Sequence, residues 1–270
     1  MSGRRLGTVL VVCLLLAGCL GQAGSTATPP GITTDGVVDT SALIESHTET
    51  LRSTSVTVRS TRTMRSSDPD FTMTTNQTWR LDGGTPVQGY SVRTFSAEGD
   101  APEQYRAVPN RIAAYRNGST TVERVTTANG SSTRRVDLLN SSVRVNTALY
   151  RSSINELTTR KNATVEPISR NGTTLYRVSA TLEDTRLRSN ASMTLFVTPA
   201  GVVRELRTER TVRYRSGPRR ITKRVWVSDV GTTTVERPAW VPPAGNATTS
   251  PTANTTAQPA ADTPRSENRS

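Results

Sequence analysis

Most of this chain consists of short β-type segments joined by tight-turn sequences. This pattern constrains the fold more than any other feature of the sequence. Asp82-Gly83-Gly84, Asn117-Gly118 and Asn129-Gly130 are among the turns and suit hairpin loops. Within residues 202–214, apolar or threonine side chains alternate with arginine and glutamate, which predicts one solvent-exposed face. Hairpins in series predict an antiparallel sheet. The predicted strands cover residues 55–62, 71–81, 87–95, 103–108, 111–116, 120–126, 163–168, 174–182, 192–198, 202–214, 221–230 and 232–235.

Two segments have helical periodicity instead. Residues 39–51 place apolar side chains and His47 on one face, and Asp39, Thr40 or Ser41 can cap the first turn. Residues 147–160 repeat the pattern. The fold class predicted from the elements is therefore α+β. The apolar faces are formed by Ala42, Leu43, Ile44, His47 and Leu51 in the first helix and by Leu149, Tyr150, Ile154 and Leu157 in the second.

The first residues have the pattern of a lipoprotein signal. Arg4-Arg5 precedes an apolar run, residues 6–16, that is too short to span a bilayer, and the small pair Ala17-Gly18 precedes Cys19. We expect cleavage before Cys19 and attachment of lipid to its thiol, which places the protein on the outer face of the cell membrane. An ordinary secretory signal with a chance cysteine is the alternative. The arginine pair also admits twin-arginine export beside the general secretory route.

Composition divides the chain into four parts. Residues 1–18 form the signal, and the Gly-, Ser-, Thr-, Ala- and Pro-rich residues 19–36 predict a flexible tether. Residues 37–242 are predicted to form one domain, and the Pro-, Thr-, Ala- and Ser-rich residues 243–270 a disordered tail. The two cysteines of the chain lie in the signal and at the lipid position, so the exported part has no disulfide.

The exported part is basic. Without the two signal arginines it carries 32 Lys and Arg against 22 Asp and Glu, a formal charge of +10, and only Lys161 and Lys223 are lysines. Such a surface favours an anionic partner. For a protein anchored outside the cell we expect anionic lipid head groups or envelope glycans, and no nucleic acid. A solvated charged face without a partner is the simpler alternative.

Acceptor sequences for N-glycosylation, Asn-x-Ser/Thr, are in excess. Ser and Thr make up about a quarter of the chain, so chance predicts three or four acceptors among 13 asparagines, whereas ten are present. Asn-Gly turn chemistry explains only three of them. The excess predicts a glycosylated, exported surface. The acceptors are Asn76, Asn117, Asn129, Asn140, Asn162, Asn171, Asn190, Asn246, Asn254 and Asn268.

The residues needed for common catalytic and metal sites are scarce. His47 is the one histidine in the sequence, and it lies on the apolar face of the first predicted helix, where we expect it to be a packed core or boundary residue. Asp68 and Asp70 flank a proline and are more simply explained as a turn than as an acid pair or calcium site. The sequence lacks nucleophile-elbow and phosphate-loop motifs. We therefore predict no enzymatic activity, no cofactor and no metal.

Three stretches together resemble a family of haloarchaeal surface lipoproteins of unknown function: Leu16-Ala17-Gly18-Cys19, residues 36–43 with the helix through His47 and Leu51, and Pro238-Ala239-Trp240. In the order of its elements the chain is also similar to lipoprotein carriers of the LolA, LolB and LppX type. That resemblance implies a curved, half-barrel antiparallel sheet with a few helices on its concave face and an apolar cavity between them. Unlike most haloarchaeal proteins, this one is basic.

Two functions follow from these observations. The first is a carrier or sensor that holds a lipid or other apolar ligand between sheet and helices, although the same residues would equally form a plain core. The second is a non-catalytic structural or interaction protein of the cell envelope that contacts anionic surface polymers. The candidate cavity residues are Leu43, Ile44, Leu51, Leu149, Ile154, Leu206 and Val212.

Overall fold

The structure, a computed structural model, describes residues 28–37, 39–84, 87–137 and 146–242. A two-stranded hairpin, β1 (Ile32–Thr33) with β2 (Gly36–Val37), precedes an open, curved antiparallel sheet of eleven strands. The eleven strands are β3 (Val56–Ser67), β4 (Asp70–Leu81), β5 (Gln88–Gly99), β6 (Arg111–Asn117), β7 (Thr120–Thr127), β8 (Gly130–Asp137), β9 (Arg160–Arg170), β10 (Thr173–Leu182), β11 (Arg188–Val197), β12 (Val203–Tyr214) and β13 (Gly217–Ser228).

Serial hairpins build the sheet, as the sequence predicts. The order in space is β8-β7-β6-β5-β4-β3-β13-β12-β11-β10-β9, so every neighbouring pair except β3 and β13 is consecutive along the chain. That central pair joins the first and last strands of the sheet and runs in register from Thr57 opposite Ser228 to Ser66 opposite Arg219. The fold is dominated by its sheet, with few and mostly short helices.

Helix α1 (Thr40–Arg52) confirms the first predicted helix. The Asp39 carboxylate accepts hydrogen bonds from the backbone N–H groups of Ser41 at 2.8 Å and Ala42 at 3.0 Å, which caps the first turn. Its apolar face joins Val58 and Leu206 in one buried cluster, so α1 covers one face of the sheet. We refer to this as the covered face and to the opposite side of the same strands as the open face.

The remaining helical segments of the described part up to residue 237 are short. The second predicted helix, residues 147–160, is interrupted by a turn at Leu149 and Tyr150: residues 146–148 are helical, and α3 (Arg151–Asn155) and a 3-10 helix (Glu156–Thr159) follow the turn. Helix α2 (Glu103–Arg106) replaces the strand predicted over residues 103–108. The prediction was wrong because Pro102 starts a helical turn there and Tyr105 stacks on Phe71, with ring centroids 5.4 Å apart.

Two further segments differ from expectation. The sequence does not predict strand β8, because this polar segment contains only one large apolar residue, Val136. The segment is held in a strand conformation by its pairing with β7. Residues 232–235 form no strand. Asp229 turns the chain with a φ of 52°, and Thr233 then bonds to the Thr57 hydroxyl at 2.9 Å.

Residues 28–36, which the sequence assigns to the tether, belong to the folded part. Ile32 is buried in the same cluster as Leu43, and Asp39 donates its backbone N–H to Gly31 O at 3.0 Å. The ordered structure thus begins before residue 37. The signal, the rest of the tether, Cys19 and the tail over residues 243–270 lie outside the described residues.

Residues 238–242 form a separate unit. Within it, Val241 donates its backbone N–H to Pro238 O at 3.0 Å. Across the described ranges of the chain, none of the helices has the length and apolar character needed to cross a membrane.

Candidate functional site

The predicted cavity residues form a filled core. Six of the seven lie in the cluster beneath α1, and Val212 packs against a second, smaller cluster around Phe71 and Ile221. The cavity beside Leu149, Ile154 and Leu206 measures about 10 Å³, whereas small-molecule sites typically measure about 300–1,000 Å³. The six residues of the first cluster are Leu43, Ile44, Leu51, Leu149, Ile154 and Leu206.

His47 is a structural residue, as predicted. Its ring is 2% exposed, Nδ1 accepts from the backbone N–H of Val203 at 3.1 Å, and Nε2 lies 3.0 Å from Leu149 O. This pairing requires the neutral ring protonated on Nε2, because a proton on Nδ1 would face a second donor. Burial lowers the pKa of His47 to about 4, partly offset by the hydrogen bond to Leu149. His47 thus ties α1 to β12 and to the segment before α3.

The acidic candidates lie at a turn. Asp68 lies in the turn between β3 and β4, and Asp70 begins β4. These positions agree with the interpretation of Asp68 and Asp70 as turn residues. Within the four described ranges, no three His, Cys, Asp or Glu side chains lie close enough together to hold a metal ion.

A groove of about 500 Å³ lies on the open face. Strand register explains its position, because Leu206 and Val225 point into the core while their neighbours Arg207 and Arg224 point the other way. Thr208 and Lys223 also border the groove, although the strand register places their side chains on the covered face. The groove is lined by Thr61, Thr63, Ser192, Thr194, Arg207, Thr208, Glu209, Thr222, Lys223, Arg224 and Trp226.

A buried carboxylate organises the arginines at one end of this groove. Glu205 is 3% exposed and pairs with three guanidinium groups: Arg207 at 2.7 Å, Arg224 at 2.5 Å and Arg170 at 2.9 Å. Burial opposes ionisation of Glu205, but the hydrogen bonds from Arg207, Arg170 and Arg224 outweigh it and lower the pKa. One negative charge thus fixes three positive ones, which leaves a local surplus of two.

Aromatic rings hold the same arginines from the side. The guanidinium carbons of Arg207 and Arg170 lie 5.4 and 5.9 Å from the centre of the Phe196 ring, and that of Arg224 lies 4.5 Å from the Trp226 ring. Each arginine side chain is still 42–50% exposed. The arginines are therefore preorganised at their inner edges and open to solvent at their outer edges.

The open face is basic beyond this cluster. On β3, β12 and β13 it carries six arginines and two glutamates, since Arg59, Arg65, Arg213 and Arg220 share it with the groove residues. A guanidinium group binds carboxylate and sulfate through paired N–H donors, and an indole face offers apolar contact to a sugar ring. The arrangement is therefore suited to binding an anionic, partly apolar chain such as an acidic polysaccharide.

All six predicted glycosylation acceptors within the described residues are exposed. Asn117, Asn129 and Asn171 lie at hairpin turns, and the backbone of Asn171 has a φ of 53°. Asn76 differs because it lies in the middle of β4 on the open face, where its Oδ1 accepts from Thr61 at 2.7 Å. The remaining exposed acceptors are Asn162 and Asn190; Asn140, Asn246, Asn254 and Asn268 lie outside the described residues.

The Glu205 cluster was not predicted. Alternation along β12 correctly assigned Arg207 and Glu209 to the solvent-exposed face, and the same rule places Glu205 beside them. Arg170, however, is 35 residues away from Glu205 in the sequence, and only the packing of the strands brings the two together. The alternation of two glutamates, Glu205 and Glu209, with arginines on one strand face was the available signal.

No family model and no curated protein matches the chain. Similar solved structures include a DUF1329 family protein from Desulfovibrio piger, with 11% identity, 70% of this chain and 89% of that chain covered, and a TM-score of 0.26. The complex of MucA and MucB from Pseudomonas aeruginosa has 12% identity, 76% and 67% coverage and a TM-score of 0.34. A Vibrio parahaemolyticus domain described as an outer membrane lipoprotein-sorting protein has 9% identity, 74% and 96% coverage and a TM-score of 0.25. These values assign the chain to no family, and its function is inferred from its own residues.

Proposed function

We propose that this protein is a non-enzymatic, lipid-anchored component of the outer face of the cell membrane, and that it binds acidic polymers of the cell envelope through the groove on its open face. The observation that carries the proposal is the buried carboxylate of Glu205, which fixes three half-exposed arginines at the rim of that groove.

The charge balance of this cluster favours a binding role over a purely structural one. A single arginine would neutralise Glu205, yet three converge on it and their outer edges stay in solvent. Two charges remain for a ligand, and each charge-assisted hydrogen bond to it contributes about 1.5–3 kcal/mol.

The anchor and the glycans are proposed from the sequence. Lipid on Cys19 would hold the domain near the membrane, and exposed acceptors at hairpin turns would accommodate glycans without displacing core residues. A Cys19→Ser variant should move from the membrane fraction to the medium or soluble fraction when cells are fractionated. Retention of that variant in the membrane would rule out the lipid anchor.

An apolar ligand remains the second candidate, supported only by the order of the elements. The core beneath α1 would have to separate to admit it, since the space there is about 10 Å³. A lipid recovered in stoichiometric amount from the purified full chain would favour this carrier function over the groove.

The test of the groove uses the full chain with its anchor, in detergent. We expect binding to polygalacturonate and to dextran sulfate but not to neutral dextran, measured by fluorescence anisotropy of labelled polymer. Arg207→Gln/Arg224→Gln should weaken binding by roughly tenfold or more, because two charge-assisted contacts are lost.

The matched control is Arg134→Gln/Arg135→Gln, which removes two charges from the exposed strand β8, far from the groove in strand order. It should bind as the unchanged protein does. Equal weakening in both double variants would show that net charge alone drives the interaction. Equal affinity for neutral dextran would reject the proposal.

A further inference from the structure

A band of polar residues crosses the covered face between its two apolar clusters. Along β3, Val58 belongs to the first cluster and Met64 to the second, while Ser60 and Arg62 lie between them on the same face. The register carries the band across the neighbouring strands, where Arg62 lies opposite Lys223 on β13. The band comprises Ser60, Arg62, Gln77, Arg93, Thr208 and Lys223.

The direct pairing of Arg62 with Lys223 is unfavourable without an anion. Like charges opposite each other on a sheet destabilise it, and both side chains are only partly exposed. The comparable pair on the open face, Arg65 opposite Arg220, is relieved by Glu209, which lies 2.6 Å from Arg220. Within the described residues Arg62 makes no ion pair.

The Lys223 ammonium group is held in a defined place. It lies 4.1 Å from the centre of the Tyr150 ring and donates to Ser153 Oγ at 2.8 Å. Tyr150 reaches across to the sheet and donates its hydroxyl to Ser60 Oγ at 2.5 Å. Tyr150 adopts a left-handed backbone with φ of 55°, a conformation that is unfavourable for a residue other than glycine.

The nearby carboxylate is already engaged. Glu156 pairs with Arg210 at 2.9 Å and with Arg188 at 3.2 Å, so it contacts neither Lys223 nor Arg62 directly. Burial lowers the pKa of Lys223 to about 8, the charge of Glu156 acts to raise it, and the charges of Arg210 and Arg62 lower it further. Burial raises the pKa of the Tyr150 hydroxyl, and the hydrogen bond to Ser60 and the charge of Arg93 act to lower it.

We propose that Lys223 and Arg62 form a binding site for a phosphate group on the covered face, with Tyr150 as its roof. The shared chemistry is a tetrahedral oxyanion, carried either by free phosphate or by the head group of an anionic lipid. An oxyanion between Arg62 and Lys223 would convert their repulsion into two charge-assisted contacts. Lys223 also borders the groove, but Arg62 lies on the covered face, whereas the groove arginines Arg207 and Arg224 lie on the open face.

The chain contains only two lysines, which makes the site measurable in the full protein. Lys161 lies in an exposed ion pair with Asp184 and serves as an internal control. Acetylation by an N-hydroxysuccinimide ester near pH 8, quantified by peptide mass spectrometry, reports the reactivity of each amine. The probes are inorganic phosphate and short-chain phosphatidic acid, each compared with chloride at equal ionic strength.

We expect the probes to slow acetylation of Lys223 and to leave Lys161 unchanged. Protection by both probes identifies an oxyanion site, and protection by phosphatidic acid alone identifies a lipid head group as the source. Equal effects on both lysines, or none, would overturn the proposal.

Arg62→Gln should raise the half-protecting concentration by about tenfold. Arg65→Gln, on the same strand but the open face, should leave it unchanged. Arg207→Gln/Arg224→Gln should also keep full protection, so failure of this site and failure of the groove are distinguishable. An Arg62→Gln protein that folds, as judged by circular dichroism, and is still protected like the unchanged protein would contradict the assignment.

Discussion

Arg224 donates a hydrogen bond from Nε to Glu205 Oε1 at 2.5 Å across the β12–β13 pair. The carboxylate is almost fully buried, whereas the Arg224 side chain is 42% exposed. Both residues lie on the open face, and the buried carboxylate fixes the orientation of the exposed guanidinium group. Preorganisation of this kind lowers the entropy lost when a ligand binds.

Glu205→Gln should destabilise the fold by about 1–3 kcal/mol, because three charge-assisted hydrogen bonds to one buried carboxylate are weakened together. The control is Glu209→Gln on the same strand and face, where the pair with Arg220 is exposed on both sides and contributes about 0–1 kcal/mol. Urea denaturation followed by circular dichroism measures both variants. Equal losses would mean that the Glu205 cluster is not preorganised by burial.

His47 should make the fold sensitive to acid. Its pKa is about 4 in the folded protein and about 6.5 when unfolded, so the unfolded state binds more protons between these values. Stability is therefore fully present above pH 6.5 and falls as the pH drops toward 4, by about 3 kcal/mol for this group. The difference between the stability profiles of the unchanged protein and of His47→Gln isolates this contribution. A constant difference across that pH range would contradict it.

The interior beneath α1 should behave as a packed core. Leu43→Ala is expected to cost about 2–5 kcal/mol, because Leu43 is completely buried and its removal leaves a cavity. Leu187→Ala, at a side chain that is 62% exposed, should change stability by less than about 0.5 kcal/mol. Thermal unfolding of both variants provides the comparison. Similar small effects would indicate a loosely packed interior of the kind that a lipid carrier needs.

Glycan occupancy should differ between turns and strands. The acceptors Asn117, Asn129 and Asn171 lie at hairpin turns, where a local change of the backbone disturbs few strand hydrogen bonds. Asn76 instead lies between two neighbouring strands, opposite Thr61 and Thr94. Glycopeptide mass spectrometry of protein exported by its own host should therefore show higher occupancy at the turns. Full occupancy at Asn76 would instead mean that the modification precedes formation of the sheet.

Local sequence signals predicted the parts of the fold that depend on local physics. Helix α1 followed from a cap at Asp39 and apolar residues at helical spacing, and most hairpins followed from Gly and Asn turns. Strand β8 and helix α2 were missed. Strand β8 adopts its conformation through pairing with β7. Helix α2 is stabilised by contacts of Tyr105 with Phe71 and Arg219, which are distant in sequence.

The candidate sites depended on register and were harder to predict. Alternation assigned Arg207 to the open face, but three arginines meet at Glu205 only because β9 to β13 pack as they do. The same holds for Lys223, which meets Tyr150 across 73 positions of the sequence. The apolar side chains expected to line a cavity were correctly identified as buried, but sequence alone does not distinguish a cavity from a core.

The most direct test of the account is an arginine footprint of the full chain. Phenylglyoxal modifies accessible guanidinium groups, and peptide mass spectrometry locates the adducts with and without polygalacturonate. If the polymer binds in the groove, we expect it to protect Arg207 and Arg224 while Arg134 on β8 stays reactive. Protection of Arg134 to the same extent, or no protection of Arg207 and Arg224 at saturating polymer, would contradict a binding groove on the open face.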